Sequence, residues 1–394
     1  MNQTDGFLIK KINGISYLLP VGQRIAEQRR GMKLNETGEQ IWNFIPSAKD
    51  RNELLALLAD YYEIPPEDKD MLKKDMDSFL DQLAAWGMLE EPPLAPSGSG
   101  IDMMIGGLTL HLSSPKELIP SEFLPFYAKE SQSPDMTIEI LPSTGLSTSP
   151  AGGLLRIQAE DLLVCEQEQE YRILFPQSPQ LQECMMRKDG TLARFYVVPP
   201  YREPLLSDLF HTIRLVFLYM AARHGRLAIH SASLYYREQA WLFAGPSGTG
   251  KSTHTNLWNQ YFHTPVLNGD LNLISCEKGT PMIHGIPWCG TSGISDTASH
   301  PLGGIILLRQ SPKNLCREPA VDEQTLLVLQ RSISPAWTED MLEKNLHIAA
   351  AVTNSCYITR LFCNREREAA EYMKARIDDH LRQLGGAAES VISV

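Results

Sequence analysis

The stretch WLFAGPSGTGKST, residues Trp241–Thr253, decides the fold of the larger part of this chain. Its centre matches the pattern G-x-x-x-x-G-K-S, which is typical of loops that bind phosphate groups. The preceding residues, Ala240–Ala244, are apolar and predict a strand, and the residues from Ser252 onward predict a helix. Glycines let main-chain N–H groups turn inward around phosphate oxygens, and the helix N-terminus adds its dipole. The sequence therefore predicts an α/β domain that binds a nucleoside triphosphate.

The motif also predicts roles for individual residues. Lys251 is expected to meet the β- and γ-phosphates, and Ser252 is expected to bind Mg²⁺. ATP and Mg²⁺ are the expected cofactors. The residues expected to hold the nucleotide are Gly245, Pro246, Ser247, Gly248, Thr249, Gly250, Lys251, Ser252 and Thr253.

Two further candidates flank the motif. His230 lies in LAIHSASLYY, fifteen residues before Gly245, and Asp270 lies in TPVLNGDLNLIS, which predicts an apolar strand. A carboxylate in an apolar strand is costly to bury unless it meets a metal or a donor, which favours a functional role for Asp270. A histidine at a strand end is compatible with a place in the core or with a place in the site.

A strand with His230, a hairpin, the P-loop, a helix and an acidic strand together resemble the HPr kinase/phosphorylase-like group. That group is related to ATP-dependent phosphoenolpyruvate carboxykinase, and the closest likeness is to the branch associated with peptide-modification cassettes. The resemblance covers roughly residues 106–384, and its specific part is Leu227–Gly293. It implies a mixed sheet rather than a long parallel Rossmann sheet, and a functional histidine at His230.

The resemblance further implies a pair of aspartates for metal binding and for activation of an acceptor hydroxyl. Here the pair reads Gly269-Asp270, so one carboxylate remains. Asp270 could hold Mg²⁺ and leave the base role to His230 or to no residue. Alternatively, Asp270 could polarise the acceptor while Ser252 and waters hold the metal. The candidate catalytic residues are thus His230, Lys251 and Asp270, and the candidate metal ligands are Ser252 and Asp270.

Other segments of this region admit two interpretations. MIHGIPWCGTSG, residues Met282–Gly293, could be a structured turn with a buried tryptophan or a loop that closes over the acceptor site, and its candidate side chains are His284, Trp288, Cys289 and Thr291. Arg309 could reach a phosphate or be a surface charge. The helical and strand-like stretches from Glu323 to Leu384 are interpreted as scaffold.

The first ninety residues have a different texture. Asn13-Gly14 separates two apolar runs, a strong hairpin signal because both turn positions need positive φ. Three predicted helices follow: one capped by Asn35 or Thr37, one opened by a capping box of Asp50 and Glu53, and one from about Glu67 to Trp86 that is stopped by Gly87. The residues expected on one face of the third helix are Leu72, Met76, Phe79, Leu80 and Leu83.

This order, with LNETGEQIWNFI at Leu34–Ile45 and AAWGMLE at Ala84–Glu90, resembles the PqqD-like family. These are small winged-helix domains that recognise leader peptides of ribosomally made, modified peptides. The resemblance implies that a precursor peptide adds a strand to the hairpin edge and lies against the last helix. The alternative is a small α+β domain that serves dimerisation or docking.

The domain prediction follows from changes in residue composition and pattern along the chain. Residues 1–92 form the winged-helix-like α+β domain, 93–100 a Pro/Gly/Ser linker, and 101–390 the P-loop kinase-like domain, with parts at 101–225 and 226–390. A formal net charge of −11 argues against a generic nucleic-acid binder.

Location and assembly are also predicted. The seven cysteines include no C-x-x-C pair, which suits free thiols in a reducing cytoplasm. The residues LLSDLFHTIRLVFLYMAARHG, Leu205–Gly225, predict a buried helix. Its longest apolar stretch, Leu215–Ala222, is too short to span a bilayer, so no membrane partner is expected. A homo-oligomer is an expectation by analogy alone.

Three functions are compatible with these patterns. The first is a kinase that transfers the γ-phosphoryl group of ATP to a hydroxyl of a precursor peptide held by the N-terminal domain. The second is a small-molecule kinase or an enzyme that activates a carboxylate or amide with ATP. The third is a non-catalytic adaptor that is gated by ATP and presents a peptide to another enzyme.

Overall fold

The structure is a computed structural model that describes residues 2–26, 31–49, 51–65, 69–85, 88–90, 100–128, 133–143, 153–199, 201 and 203–392. The residues up to 90 form a small α+β unit. Its elements are β1 (Asn2–Gln3), β2 (Phe7–Ile12), β3 (Ile15–Pro20), α1 (Gln23–Ala26), β4 (Met32–Leu34), α2 (Glu36–Phe44), a 3₁₀ turn (Ile45–Ser47), α3 (Arg51–Tyr61), α4 (Lys69–Ala85) and β5 (Leu89–Glu90).

The predicted hairpin forms because Asn13 and Gly14 both adopt left-handed conformations, with φ of 51° and 81°. β2 pairs antiparallel with β3, β4 pairs with the other side of β3, and β2 therefore lies at the edge of this sheet in the described residues. The prediction of a hairpin followed directly by three helices is incomplete. A two-residue pairing of β1 with β5 and the short elements α1 and β4 are added to it.

The helix predictions hold where the structure describes them. Asn35 caps α2 by accepting a hydrogen bond of 2.7 Å from the Gly38 N–H, whereas Thr37 lies inside the helix. On α4, the predicted apolar face is buried or partly buried against one hydrophobic cluster within this unit. Asp50, Glu67, Trp86 and Gly87 lie outside the described residues. The winged-helix assignment and the domain boundaries stay predictions.

The middle of the chain forms a second sheet and one long helix. The elements are β6 (Ile101–Ile105), β7 (Leu108–Ser113), two 3₁₀ turns (Lys116–Leu118 and Ser121–Phe126), β8 (Met136–Pro142), β9 (Leu154–Gln158), β10 (Leu163–Glu166), β11 (Glu170–Leu174), β12 (Leu181–Arg187), β13 (Leu192–Val197) and α5 (Glu203–Arg223). The strand order is β6-β7-β8-β13-β12-β11-β10-β9, with β8 parallel to both of its neighbours.

The remaining residues form a third sheet with flanking helices. The elements are β14 (Arg226–Tyr236), β15 (Gln239–Ala244), α6 (Lys251–Phe262), β16 (Val266–Asn268), β17 (Leu271–Glu277), β18 (Thr280–His284), a 3₁₀ turn (Gly290–Ser292), β19 (Ser299–Gln310), β20 (Leu315–Arg317), α7 (Val321–Leu329), α8 (Glu339–Thr353), β21 (Tyr357–Cys363) and α9 (Arg367–Ile392).

The third sheet is mixed, as predicted. Its order is β15-β14-β17-β18-β19-β21-β20, and β15 also pairs in parallel with β19, so five of these strands close into a ring. β15, which leads into the P-loop, therefore lies between β14 and β19. Because β15, β19 and β21 run parallel, their carboxyl ends lie on the side of the sheet where the P-loop begins.

α5 joins the second and third sheets. Its buried residues Leu209, Ile213 and Phe217 share one hydrophobic cluster with strands of the second sheet and with Leu271 and Trp288 of the third. Within the described residues, the stretch 205–223 of α5 is long and apolar enough to cross a membrane by length and composition, and 50% of it is buried in the fold. The prediction of a helix is confirmed and half of this stretch is buried, whereas the prediction that its apolar stretch is too short to span a bilayer is wrong by length and composition.

Candidate functional site

The P-loop leaves the buried carboxyl end of β15 and enters α6. Gly248 and Gly250 adopt φ of 78° and 102°, a left-handed conformation that other residues reach only at a cost. Gly250 occupies the N-cap position of α6, so Lys251 and Ser252 are the first residues of the helix. The predicted strand, loop and helix are thus found in that order, and the loop lies at a helix N-terminus, where backbone N–H groups favour an anion.

Two side chains from distant parts of the chain hold the loop. The Gly248 carbonyl accepts a hydrogen bond of 2.9 Å from Gln310 Nε2 and one of 3.0 Å from an Arg365 NH2 group. Thr249 Oγ1 donates to the Pro246 carbonyl within the loop at 2.7 Å. Arg365 lies between β21 and α9, in the part of the chain interpreted as scaffold, and the structure places its side chain in contact with the P-loop backbone.

Lys251 is a buried cation without a carboxylate at ion-pair distance among the described residues. Its side chain is 8% exposed, and Nζ donates to the Gly245 carbonyl at 3.3 Å. Burial lowers the pKa of Lys251, the negative charge of Asp270 raises this pKa, and the positive charge of Arg331 lowers it. A buried ammonium group that has one neutral acceptor gains from an anionic ligand, which fits a phosphate group.

Arginines surround the same end of β15. Arg309, Arg331 and Arg360 line a small cleft together with Gly245 and Pro246. Burial lowers the pKa of Arg331, and the charge of Arg309 lowers it further. This concentration of positive charge beside the P-loop favours a polyanionic ligand.

Sequence reasoning considered only one of these three arginines. Arg309 is exposed at the end of β19, and the structure places it beside the P-loop. Arg331 follows α7, and Arg360 lies on β21, where it pairs with Glu323 at 3.7 Å. Nothing in the sequence around Arg331 or Arg360 marks a phosphate site, since only the pairing of distant strands brings them to the loop.

His230 and Asp270 meet beside this cluster. β14 pairs antiparallel with β17 so that His230 lies opposite Leu271, the residue after Asp270. His230 Nδ1 lies 3.3 Å from Asp270 Oδ1, and the two side chains are 35% and 38% exposed. The His230 N–H donates to the Arg331 carbonyl at 2.9 Å, which ties the middle of β14 to the arginine cluster; the expectation that His230 lies at a strand end is wrong.

The placement of Asp270 in an apolar strand is wrong. Asp270 lies in the bend between β16 and β17, and its side chain is half-exposed. The cost of burying a carboxylate therefore gives no argument for a functional role of Asp270. The bend is held by Asn268, whose side-chain oxygen accepts from the N–H groups of Asp270 and Leu271 at 3.0 and 3.1 Å. Asn268 is a positioning residue that sequence reasoning missed.

The bend is packed so closely that position 269 has no room for a second carboxylate side chain. A Cβ atom added to Gly269 would lie 2.3 Å from Ser292 Oγ and 2.4 Å from its Cβ, so the neighbouring loop fills the space of a side chain. On the other side of the bend, a Cβ added to Gly290 would lie 2.7 Å from the Cβ of Asp270. The turn at Gly290–Ser292 therefore restricts both positions 269 and 270.

The segment Met282–Gly293 divides into two parts. His284 is buried, bonds to the hydroxyls of Ser275 and Ser299 at 2.8 and 2.9 Å, and burial lowers its pKa to about 4. Trp288 is also buried, and its Nε1 donates to the Phe210 carbonyl at 2.9 Å. These two side chains are structural, whereas the turn that begins after Cys289 and includes Thr291 packs against Asp270.

The oxygen atoms around the P-loop suit a hard cation only together with a ligand. Ser252 is exposed at the start of α6, and Asp270 is half-exposed on the adjoining bend. In the part of the chain that the structure describes, no group of three or more His, Cys, Asp or Glu side chains could hold a metal ion. A Mg²⁺ ion commonly takes one or two protein oxygens and completes its shell with phosphate oxygens and waters, which these residues fit.

Comparisons with known proteins bear on both halves of the chain. Residues 25–89 match the family model described as coenzyme PQQ synthesis protein D (PqqD). Among solved structures, the chain is similar to the Hpr(Ser) kinase/phosphatase from Coxiella burnetii, with 10% identity and a TM-score of 0.26 over 41% of this chain and 95% of that one. No curated protein matches this chain. The prediction of a PqqD-like domain is confirmed for residues 25–89.

Proposed function

We propose that this protein is an ATP-dependent kinase that transfers the γ-phosphoryl group to a hydroxyl of a precursor peptide held by its PqqD-like domain. One arrangement carries the proposal. Lys251, a buried ammonium group with no carboxylate at ion-pair distance among the described residues, starts the P-loop helix, and a His230–Asp270 pair joins β14 to the bend before β17. A phosphate cradle beside a group that can accept a proton is what phosphoryl transfer to a hydroxyl requires.

The P-loop and the basic groups around it would bind the triphosphate. Main-chain N–H groups of the loop donate to phosphate oxygens, and Lys251 turns from the Gly245 carbonyl to the β- and γ-phosphates. Arg331 adds positive charge on the side of His230, where negative charge develops as the phosphoryl group moves. Ser252 and Asp270 would hold Mg²⁺, which when bound neutralises charge on the β- and γ-phosphates.

The His230–Asp270 pair would handle the proton. The acceptor oxygen forms a bond to the γ-phosphorus, the bond from that phosphorus to the β–γ bridging oxygen breaks, and ADP leaves. The hydroxyl proton passes to His230 where Asp270 holds the metal, or to an Asp270 carboxylate oxygen where Ser252 and waters hold it; His230 Nδ1 and Asp270 Oδ1 lie 3.3 Å apart. The transition state is loose, so one carboxylate suffices if positioning is good.

The PqqD-like domain supplies the peptide. β2 is an edge strand of its sheet in the described residues, and its outward face carries Leu8 and Ile12, with 49% and 51% of their surface exposed. An extended peptide can add to such an edge through main-chain hydrogen bonds, with apolar side chains giving sequence choice. Tethering raises the effective concentration of the peptide at the kinase site, which relaxes what that site must recognise.

Mass spectrometry tests the proposal. The full chain is incubated with ATP, Mg²⁺ and a peptide encoded beside its gene, and the peptide is expected to gain the mass of one phosphoryl group. Labelled ATP separates γ-phosphoryl transfer from adenylylation. Tight nucleotide binding by a folded protein, with neither product formed at any peptide concentration, would instead identify an adaptor.

A further inference from the structure

A groove runs along the side of α5 that carries Asp208, Arg214 and Leu218. It encloses about 630 Å³, within the range of ligand sites in proteins. It is lined by α5 residues from Asp208 through Arg214 to Leu218, and by residues of other elements that include Leu162, Phe175 and Ile333. We call this space the α5 groove.

Two sets of contacts place the α5 groove beside the proposed reaction centre. The residues Arg331 and Ile333 run antiparallel to β14: the His230 N–H donates to the Arg331 carbonyl, and the Ile333 N–H donates to the Ala228 carbonyl at 3.0 Å. Ile333, which lines the groove, is therefore two residues from the partner of His230.

The second set joins α5 to Asp270. Trp288 donates to the Phe210 carbonyl of α5, and its ring lies 5.1 Å from that of Phe217. Two residues after Trp288, Gly290 packs against Asp270. The turn of α5 that carries Arg214 thus lies behind the loop that holds the carboxylate, close enough that the charge of Asp270 raises the pKa of Arg214 against the effect of burial.

The length and chemistry of the groove suit an extended peptide. Asp208 and Leu218 are ten residues apart on one helix, which corresponds to about 15 Å, and at about 3.3 Å per residue this holds four to five residues of extended chain. Apolar walls alternate with polar groups. Arg214 is half-buried, and among the described residues none accepts a hydrogen bond from it. A half-buried guanidinium group gains from an oxygen acceptor brought by a ligand.

We propose that the α5 groove binds the extended peptide segment that carries the acceptor hydroxyl, with Arg214 donating to a carbonyl or carboxylate oxygen beside that hydroxyl. The inference rests on the proposed kinase function and adds to it where the acceptor lies. Arg214 is then a positioning residue that sets the register of the peptide relative to Asp270.

Photo-crosslinking tests the groove without relying on catalysis. Benzoylphenylalanine is introduced in place of Ile333, and as a control in place of Leu315 on β20, because both side chains are 42% exposed. The full chain with Mg²⁺ and a non-hydrolysable ATP analogue is irradiated with a biotinylated pool of serine-centred hexapeptides. At least fivefold more peptide is expected on the position-333 variant, and equal labelling of the two variants would overturn the proposal.

Kinetics with the hexapeptide most enriched on position 333 tests the role of Arg214. Arg214→Met is expected to raise KM for the peptide at least tenfold while the Kd for ATP changes less than twofold, and Arg214→Lys is expected to recover part of this loss. If a carboxylate is the partner of Arg214, Arg214→Met should raise KM more for a peptide with Asp beside its serine than for the matching peptide with Asn. An unchanged KM with a raised Kd for ATP would place Arg214 on the nucleotide and refute its assignment to the peptide. Crosslinking without phosphoryl transfer by the unaltered protein would refute the kinase proposal alone.

Discussion

Adding one methyl group at Gly290 is expected to move the Asp270 carboxylate while the rest of the site stays unchanged. In Gly290→Ala the added Cβ would lie 2.7, 2.9 and 3.1 Å from the Cβ, Cγ and Oδ2 atoms of Asp270. The optimal separation of two non-bonded carbon atoms is about 3.5–4.0 Å, so the carboxylate must move by about 1 Å. That displacement is about a third of the 3.3 Å distance between His230 Nδ1 and Asp270 Oδ1.

The chain provides a matched control three residues away. Gly293 also adopts a left-handed conformation, with φ of 64° against 59° for Gly290, but a Cβ added to Gly293 meets nothing within 4 Å. Both alanine variants therefore carry a similar backbone cost of roughly 1–2 kcal/mol. The difference between them isolates the push on Asp270.

Misplacing a reacting group by about 1 Å can lower a rate by roughly a hundredfold, which is about 2.7 kcal/mol of barrier. We expect Gly290→Ala to lower kcat for phosphoryl transfer by that order, and Gly293→Ala to change it less than threefold. Calorimetry with ATP in the absence of Mg²⁺ should give similar Kd values for both variants and the unaltered protein. Equal kcat values for the two variants, with both folded by circular dichroism, would refute the assignment of Asp270 to the reaction.

The remaining predictions concern the nucleotide, the bend and acid stability. Lys251→Met should lose about 1.5–3 kcal/mol of ATP binding, roughly a ten- to hundredfold rise in Kd by calorimetry, and an unchanged Kd would contradict the phosphate assignment. Gly269→Asp should unfold at a lower temperature than the unaltered protein because Ser292 fills the space, and Ser292→Gly should restore the melting temperature; failure of this rescue would show that the clash is not the cause. Burial lowers the pKa of His254 to about 4, so the unfolded chain binds a proton first as the pH falls below 6.5, and stability drops between pH 6.5 and 4. Between pH 7 and pH 5, the free energy of unfolding measured by urea titration should fall by about 2 kcal/mol less in His254→Phe than in the unaltered protein. An unaltered pH dependence would show that His254 is not the group responsible.

Local signals determined much of this protein from the sequence alone. The turn at Asn13-Gly14, the cap at Asn35 and the phosphate loop at Gly245–Ser252 each depend on residues within a few positions of one another. Their conformations follow from φ preferences and short-range hydrogen bonds, which the order of residues specifies directly. The PqqD-like pattern was visible for the same reason, as a fixed succession of short elements.

Only the tertiary structure decided how the site is assembled. Arg365 reaches the P-loop because β19 pairs with β15 and β21 pairs with β19, and Arg331 is held by its carbonyl against β14; these contacts join segments more than fifty residues apart, and no local pattern encodes them. The lack of room for a second carboxylate beside Asp270 is likewise tertiary, since the side chain of Ser292, in a later loop, fills the space at Gly269. Close packing between distant segments depends on side-chain volume and on strand register. Neither can be deduced from the local sequence around the residues that are packed.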